Sequence, residues 1–300
     1  MTTVGRMPES SAPVTVVTGA NSGIGRATAI HLAGVGHRVV GTVRAVAKAD
    51  KLTKLAEDAG VTVELAELDV ADDDSVAAGF ADILDRFGRV DHLVNNAGVG
   101  GNAVVEESSS QMYLDVFNVN VCGATRCAQA VLPAMRERGS GTIVNITSVA
   151  GRIAAIAQAP YVASKWALEG VSEELAQEVA PFGIRVAIIE PGVTKSSIFA
   201  KNIDAPNSSG AYDAHYRRMF QFYAAGMAGA TDPVEVAKLV EHAITTDRPQ
   251  LRYAVSWGGT QMASLHDRIS DADWLELGAI EDDDDYARRF QEIFDIDITT

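Results

Sequence analysis

Cysteine is nearly missing: two occur in 300 residues, Cys122 and Cys127. They stand five apart on a stretch that reads as helix. That spacing is neither a redox CxxC nor half of a zinc site, so no disulfide framework is available and a reducing compartment is expected. An excess of positive charge is missing too. Lys and Arg number 25 against 40 Asp and Glu, a net charge of −15, which argues against nucleic acid or an anionic membrane surface as partner. No apolar run approaches membrane-spanning length. The opening MTTVGRMPESSAP is polar, lacks a basic-then-apolar leader pattern and reads as a loose tail over residues 1–13. The six histidines (31, 37, 92, 215, 242 and 266) show no ligand spacing, and EDDDD at 281–285 lacks the spaced ligands and glycine of a calcium loop. No metal is therefore expected, and EDDDD reads as a solvated acidic turn. What remains is an ordinary globular composition, 47% hydrophobic and 22% charged, for which a cytoplasmic location is expected.

What the chain does contain is a rhythm. Short β-branched runs at 14–18, 38–43, 61–68, 89–98, 141–148 and 184–192 alternate with helical stretches. The longest of these is expected over roughly 108–136. A further helix near 232–245 and a strand near 252–256 extend the series to seven strands. Strands separated by helices of this length imply a parallel sheet with right-handed crossovers and helices on both faces, a doubly wound α/β fold. One catalytic domain over 14–260 is expected. The stretch 195–230 breaks the rhythm with Pro and Ser-Ser-Gly punctuation, and 261–300 is an acidic extension expected to carry one or two helices.

The first strand runs into TGANSGIG, residues 18–25, and then into a helix. Glycines there let backbone approach a pyrophosphate, and a helix start offers free N–H groups and its positive dipole end. The spacing Gly19–Gly23–Gly25 is neither GxGxxG nor a P-loop, and by itself such a turn is as often only a tight turn. The second strand ends at Val43 with Arg44 next, and no acid follows until Asp50. An NAD site places an acid near that point to hold the ribose hydroxyls. An arginine fork suits a 2′-phosphate instead, so NADP(H) is expected, with NAD(H) as the alternative if Arg44 is only a solvated surface side chain.

In PYVASKWALEG, residues 160–170, Tyr161 and Lys165 are four apart and so share a helix face. Alone, such a pair is an ordinary surface feature. Together with TGANSGIG at 18–25, LDV at 68–70, NNAG at 95–98, Asn120 in NVNVCG, Ser148 in NITS and PGVT at 191–194, the chain resembles the short-chain dehydrogenase/reductase family in its compact, single-domain form. The resemblance spans roughly residues 14–260.

That resemblance implies Tyr161 as general acid/base, Lys165 as its partner, Ser148 as the group that binds the substrate oxygen, and Asn120 as support for a water-linked proton path. For the cofactor it implies the loop Gly19, Asn21, Ser22, Gly23, Ile24 and Gly25, then Asp69 and Val70 beside the adenine. Asn96, Ala97 and Gly98 would lie by the adjoining ribose, and Pro191, Gly192, Val193 and Thr194 at the nicotinamide end, with Tyr161 and Lys165 also in contact. The chemistry is consistent with this: a free phenol has a pKa near ~10, and a neighbouring ammonium is expected to lower it. Hydride transfer to or from a carbonyl or secondary alcohol is the expected reaction. A nicotinamide-binding sensor without chemistry is the alternative, but such a protein tends to lose the Tyr, Lys or Ser retained here.

Substrate choice is expected in 195–230, as a lid. Phe199, Tyr212, Tyr216, Phe220, Phe222 and Tyr223 would there either line an apolar pocket or anchor the segment. A homodimer or homotetramer is expected through the helices near 108–136 and 160–180, with 261–300 covering the domain or a neighbouring subunit.

Overall fold

The computed structural model describes residues 12–196, 206–265 and 268–299; the expected tail up to residue 11, Phe199 and His266 lie outside them. The seven β-branched runs form strands β1 (Val14–Val17), β2 (Arg38–Val43), β3 (Val63–Glu67), β4 (His92–Asn95), β5 (Gly141–Ile146), β6 (Ile184–Pro191) and β7 (Arg252–Val255). The helices are α1 (Gly23–Gly34), α2 (Asp50–Asp58), α3 (Asp73–Phe87), α4 (Ser110–Phe117), α5 (Gly123–Arg138), α6 (Ala159–Val179), α7 (Asp213–Ala228), α8 (Pro233–Thr245), α9 (Gly259–Leu265), α10 (Asp271–Ala279) and α11 (Asp283–Phe294). Every strand pairing is parallel, in the order β3-β2-β1-β4-β5-β6-β7. This is the doubly wound Rossmann-type arrangement.

The period-2 alternation of strands decides which face each side chain serves. Val16, Leu93 and Ile143 pack on one face with Phe80 and Ile83 of α3 and Val131 and Met135 of α5. Their neighbours Val17, Val94 and Val144 pack on the other with Leu32 of α1 and Val236 and Val240 of α8. Burial on both faces explains why these strands read as continuous apolar runs rather than as alternating ones. Each fully buried Val, Leu or Ile contributes roughly 1.5–3 kcal/mol.

Strand β1 pairs with β2 on one side and β4 on the other, so the chain winds away in opposite directions from this point. The crevice outside the carboxyl ends of β1 and β4 is where such a sheet binds ligands. The loops after both strands, 18–22 and 96–99, open there.

The helix expected over 108–136 runs unbroken from Ser110 to Arg138. A single π turn, Asn118–Cys122, lies within it between α4 and α5. The extra residue per turn is held by side-chain bonds of the buried Asn120, a tertiary cause that helical periodicity does not carry. The acidic extension holds α10 and α11, and α9 leads into it. Phe290, Phe294, Ile296 and Leu277 form a third apolar layer with Val149, Ile153 and Ala225, against α7 and the loop after β5. EDDDD is largely exposed, as expected, but opens a helix rather than forming a separate turn: Asp282 caps α11, accepting from the N–H groups of Asp284 and Asp285 at 3.0 Å each. Asp283 accepts from Nε of the buried Arg218 at 2.8 Å, and Arg218 also donates to the carbonyls of Ile280 and Glu281 at 2.9 Å. Helix α7 is thereby fastened to the extension. Among the described residues no helix is long and apolar enough to cross a membrane.

Candidate active site

The turn after β1 is organised by Thr18, whose hydroxyl accepts from the N–H groups of Asn96 and Ala97 at 3.0 Å each. Asn96 Nδ2 donates back to the Thr18 carbonyl at 2.8 Å. The loops of β1 and β4 are thus one unit. Gly19 sits at φ +65°, and a Cβ there would come within 2.9 Å of the Ala97 Cα. A Cβ at Gly25 would meet Asn96 Nδ2 at 2.3 Å and the Gly19 carbonyl oxygen at 2.6 Å. Only glycine lets α1 begin this close to the loop. Gly23 has φ +53°, Ser22 stands at the helix start without capping it, and Asn21 Nδ2 donates to the Lys48 carbonyl at 3.0 Å. Ile24 packs into the core beneath.

Around this cradle, Arg44 is exposed just past the end of β2. Asp69 accepts from the Ala71 N–H at 3.0 Å, while the Val70 side chain is buried in the core. At the far end of the crevice, a Cβ on Gly192 would fall 2.0 Å from the Trp257 carbonyl oxygen. Val193 is buried and the Thr194 hydroxyl donates to Ser256 Oγ at 2.8 Å.

Helix α6 delivers the candidate pair. Pro160 falls in its first turn, where a missing N–H costs nothing, and Tyr161 and Lys165 follow one turn apart. Ser148 leaves the end of β5, accepts from the Ala150 N–H at 3.1 Å and shares a hydrogen bond with the Tyr161 hydroxyl. Lys165 Nζ lies over the Tyr161 ring, 5.7 Å from its centroid, and donates to the Ile146 carbonyl at 3.0 Å. Asn120 on the π turn accepts from the Val99 N–H at 2.8 Å and donates to the Val99 carbonyl and Ser164 Oγ at 2.9 Å each. Both its amide hydrogens are therefore spent on protein. A Cβ on Gly98 would sit 3.3 Å from Asn120 Oδ1 and 3.8 Å from Lys165 Nζ, so the NNAG loop borders both.

The electrostatics correct one expectation. Burial raises the pKa of Tyr161, and the Ser148 hydrogen bond pulls it back down. Desolvation outweighs any help from Lys165, whose own pKa burial pushes down to about 8 while Glu169 raises it.

A family model described as short chain dehydrogenase matches residues 13–207. The chain belongs to the short-chain dehydrogenase/reductase family.

As such it is a dehydrogenase/reductase. It is 36% identical over 251 residues to mouse 17-beta-hydroxysteroid dehydrogenase type 1, covering 80% of this chain and 72% of that one. A short-chain dehydrogenase from Streptomyces avermitilis superposes with a TM-score of 0.79 at 38% identity, over 91% of this chain and 96% of that one. A variant of the actinorhodin polyketide ketoreductase with NADPH follows at 0.68 and 33%, over 79% and 92%. A family member from Burkholderia phymatum in complex with NAD gives 0.71 and 29%, over 82% and 90%.

In this short-chain dehydrogenase/reductase the aromatics of 195–230 divide. The Tyr212 hydroxyl bonds Glu106, and the buried Tyr216 accepts from the Val104 N–H at 3.2 Å. Phe222 packs on Trp257 and Phe290, and Phe220 is exposed. Those four anchor the segment or face outward. Tyr223 differs: its hydroxyl donates to Asn102 Oδ1 at 3.0 Å, and it feels the field of Tyr161. Asn102 had no signal in the sequence. Ser164 is fully buried between Asn120 and the Tyr161 carbonyl, to which it donates at 2.7 Å.

Proposed function

We propose that this oxidoreductase transfers a hydride between NADP(H) and the carbonyl or secondary-alcohol carbon of a fairly apolar small molecule. The observation that carries the reading is the meeting of Ser148, Tyr161 and Lys165 beside the glycine cradle at the sheet's switch point.

The cradle fits a dinucleotide. Gly19, Asn21, Ser22, Gly23, Ile24 and Gly25 would hold its pyrophosphate, and Asp69 and Val70 would flank the adenine. Asn96, Ala97 and Gly98 would border the ribose, and Pro191, Gly192, Val193 and Thr194 the nicotinamide. The exposed Arg44, with no acid at the end of β2, favours a 2′-phosphate; the NADPH carried by the similar polyketide ketoreductase agrees with that choice. When bound, the cofactor supplies or accepts the hydride.

The chain's own residues manage the proton and the charge. In the reducing direction Tyr161 gives its proton to the oxygen that becomes an alkoxide, and Ser148 donates to the same oxygen, as in an oxyanion hole. The raised pKa of Tyr161 suits an acid that must hold its proton until that charge develops. Lys165 stabilises the phenolate left behind, and Asn120 ties the NNAG loop to α6 and leaves one Oδ1 lone pair open to a water. Oxidation of the alcohol reverses each step. Tyr223 and Asn102 bound the substrate side beneath α7, which acts as the lid.

Helices α4 and α6 pack together and present exposed Leu114, Trp166 and Val171, which suits a homodimer or homotetramer contact. The function is tested by following nicotinamide absorbance over a panel of ketones and secondary alcohols with both cofactors. NADPH-dependent turnover of an apolar ketone is expected; equal or better use of NADH would leave hydride transfer standing and reverse the cofactor assignment.

A further inference from the structure

Behind Lys165 lies a buried ionic cluster that the hydride-transfer reading does not use. Lys165 and Glu169 are one turn apart on α6 and each is 5% exposed. Glu169 Oε2 accepts from Arg252 Nε at 2.9 Å, and Arg252, at the start of β7, also donates to Glu173 Oε1 at 2.6 Å. Glu190, on β6 and 3% exposed, lies 3.4 Å from the same Arg252 Nε and 3.7 Å from Arg152 Nε, which follows the turn Val149–Gly151. Gly151 closes the group, since a Cβ there would come within 3.0 Å of Glu169 Cγ and of the Lys165 carbonyl oxygen. Helix α9, which packs against β6 and β7, brings no titratable side chain to the cluster.

Three elements distant in sequence thus converge on one carboxylate. A buried ammonium is costly unless an anion answers it. The hydrogen bond from Lys165 Nζ to Ile146 goes to a neutral carbonyl. Glu169 is the carboxylate whose field reaches Lys165 and favours its charged form. Burial raises the pKa of Glu169, and a hydrogen bond from Thr147 and then the Arg252 guanidinium work against that shift in favour of the anion.

We propose that Glu169, held as an anion by Arg252, is a positioning residue that keeps Lys165 charged. The inference rests on the reading of Tyr161 and Lys165 given above. Its consequence has a definite sign. Removing the negative charge at 169 lets Lys165 lose its proton at lower pH, and the alkaline limb of carbonyl reduction moves down with it. Glu190 is a neighbour of Glu169 rather than of Lys165, so neutralising it leaves that limb in place.

The test is the pH profile of kcat/KM for NADPH-dependent carbonyl reduction in Glu169→Gln, Glu169→Asp and Glu190→Gln, with Tyr161→Phe alongside. Glu169→Gln should lower the apparent pKa of the alkaline limb by about one unit, the size of effect one nearby charge exerts. Glu169→Asp, which keeps the charge, should restore the limb, and Glu190→Gln should not move it. Glu169→Met, which keeps the volume and drops the charge, takes the place of Glu169→Gln if that variant does not fold. A purely structural Glu169 would lower kcat evenly across pH, with Gln and Asp alike; that result, or an equal shift in Glu190→Gln, overturns the inference. Loss of turnover in Tyr161→Phe beside an unmoved limb in Glu169→Gln overturns the inference alone. Full turnover in Tyr161→Phe removes the catalytic reading and this inference with it.

Discussion

Asn120 and Ser164 are joined by a buried hydrogen bond of 2.9 Å, which locks the π turn to α6 at the residue before Lys165. Ser164 passes the constraint on by donating to the Tyr161 carbonyl. The two turns that carry the site are therefore fixed to each other by side chains rather than by backbone alone. Ser164→Ala leaves one Asn120 amide hydrogen buried without its partner, and the penalty for that is about 1–3 kcal/mol. Urea unfolding should show a lowered midpoint with an unchanged m-value; a midpoint equal to that of the parent would mean the bond carries no stability.

Arg44 is the residue on which the proposed NADP(H) preference turns. Replacing it with Ala removes the fork proposed to grip a 2′-phosphate, an interaction worth about 1.5–3 kcal/mol for a charged hydrogen bond. The KM for NADPH should rise roughly tenfold or more by that arithmetic, while the KM for NADH stays put. Steady-state kinetics with both cofactors checks this, and parallel changes in the two would remove Arg44 from the site.

Gly25 tests the cradle. A methyl group there must displace Asn96 or the Gly19 backbone, which would lie 2.3 and 2.6 Å away. Gly25→Ala should fold and yet lose most NADPH binding, read by quenching of tryptophan fluorescence. Undiminished binding would show that the loop does not hold the cofactor where proposed.

Glu190 gives a pH-dependent stability with a definite sign. Burial first, and then Glu169, push its pKa up to about 7 from 4.5. A raised carboxyl pKa contributes stability that is fully present below the unfolded value and is lost as pH rises through the folded one. Between pH 5 and pH 8 the parent protein should therefore lose on the order of 3 kcal/mol at most from this group. Glu190→Gln has no proton to lose, so its Tm relative to the parent should rise across that range. A difference in Tm that does not change with pH would contradict the buried, titrating state.

The sheet was legible because its strands are short, β-branched and buried on both faces, as in Val14–Val17 and Ile184–Pro191. The glycine cradle, Ser148, Tyr161 and Lys165 were legible because their spacing along the chain carries their geometry. The π turn at Asn120 was not, since its side-chain partners Val99 and Ser164 are brought to it by folding. Nor was the division of the 195–230 aromatics: Tyr216 and Tyr223 look alike in sequence, and only the partners at Val104 and Asn102 separate an anchor from a wall of the proposed site. The cluster of Glu169, Glu190 and Arg252 is built from α6, β6 and β7, and no local pattern joins residues so far apart.

The central claim is that Tyr161 moves the proton, and Tyr161→Phe tests it most directly because it removes one hydroxyl and keeps the ring. NADPH binding measured by fluorescence should match that of the parent, while kcat for carbonyl reduction should fall by roughly 10²–10⁴, the usual contribution of a positioned acid. A kcat within a few-fold of the parent, with binding intact, would contradict the account.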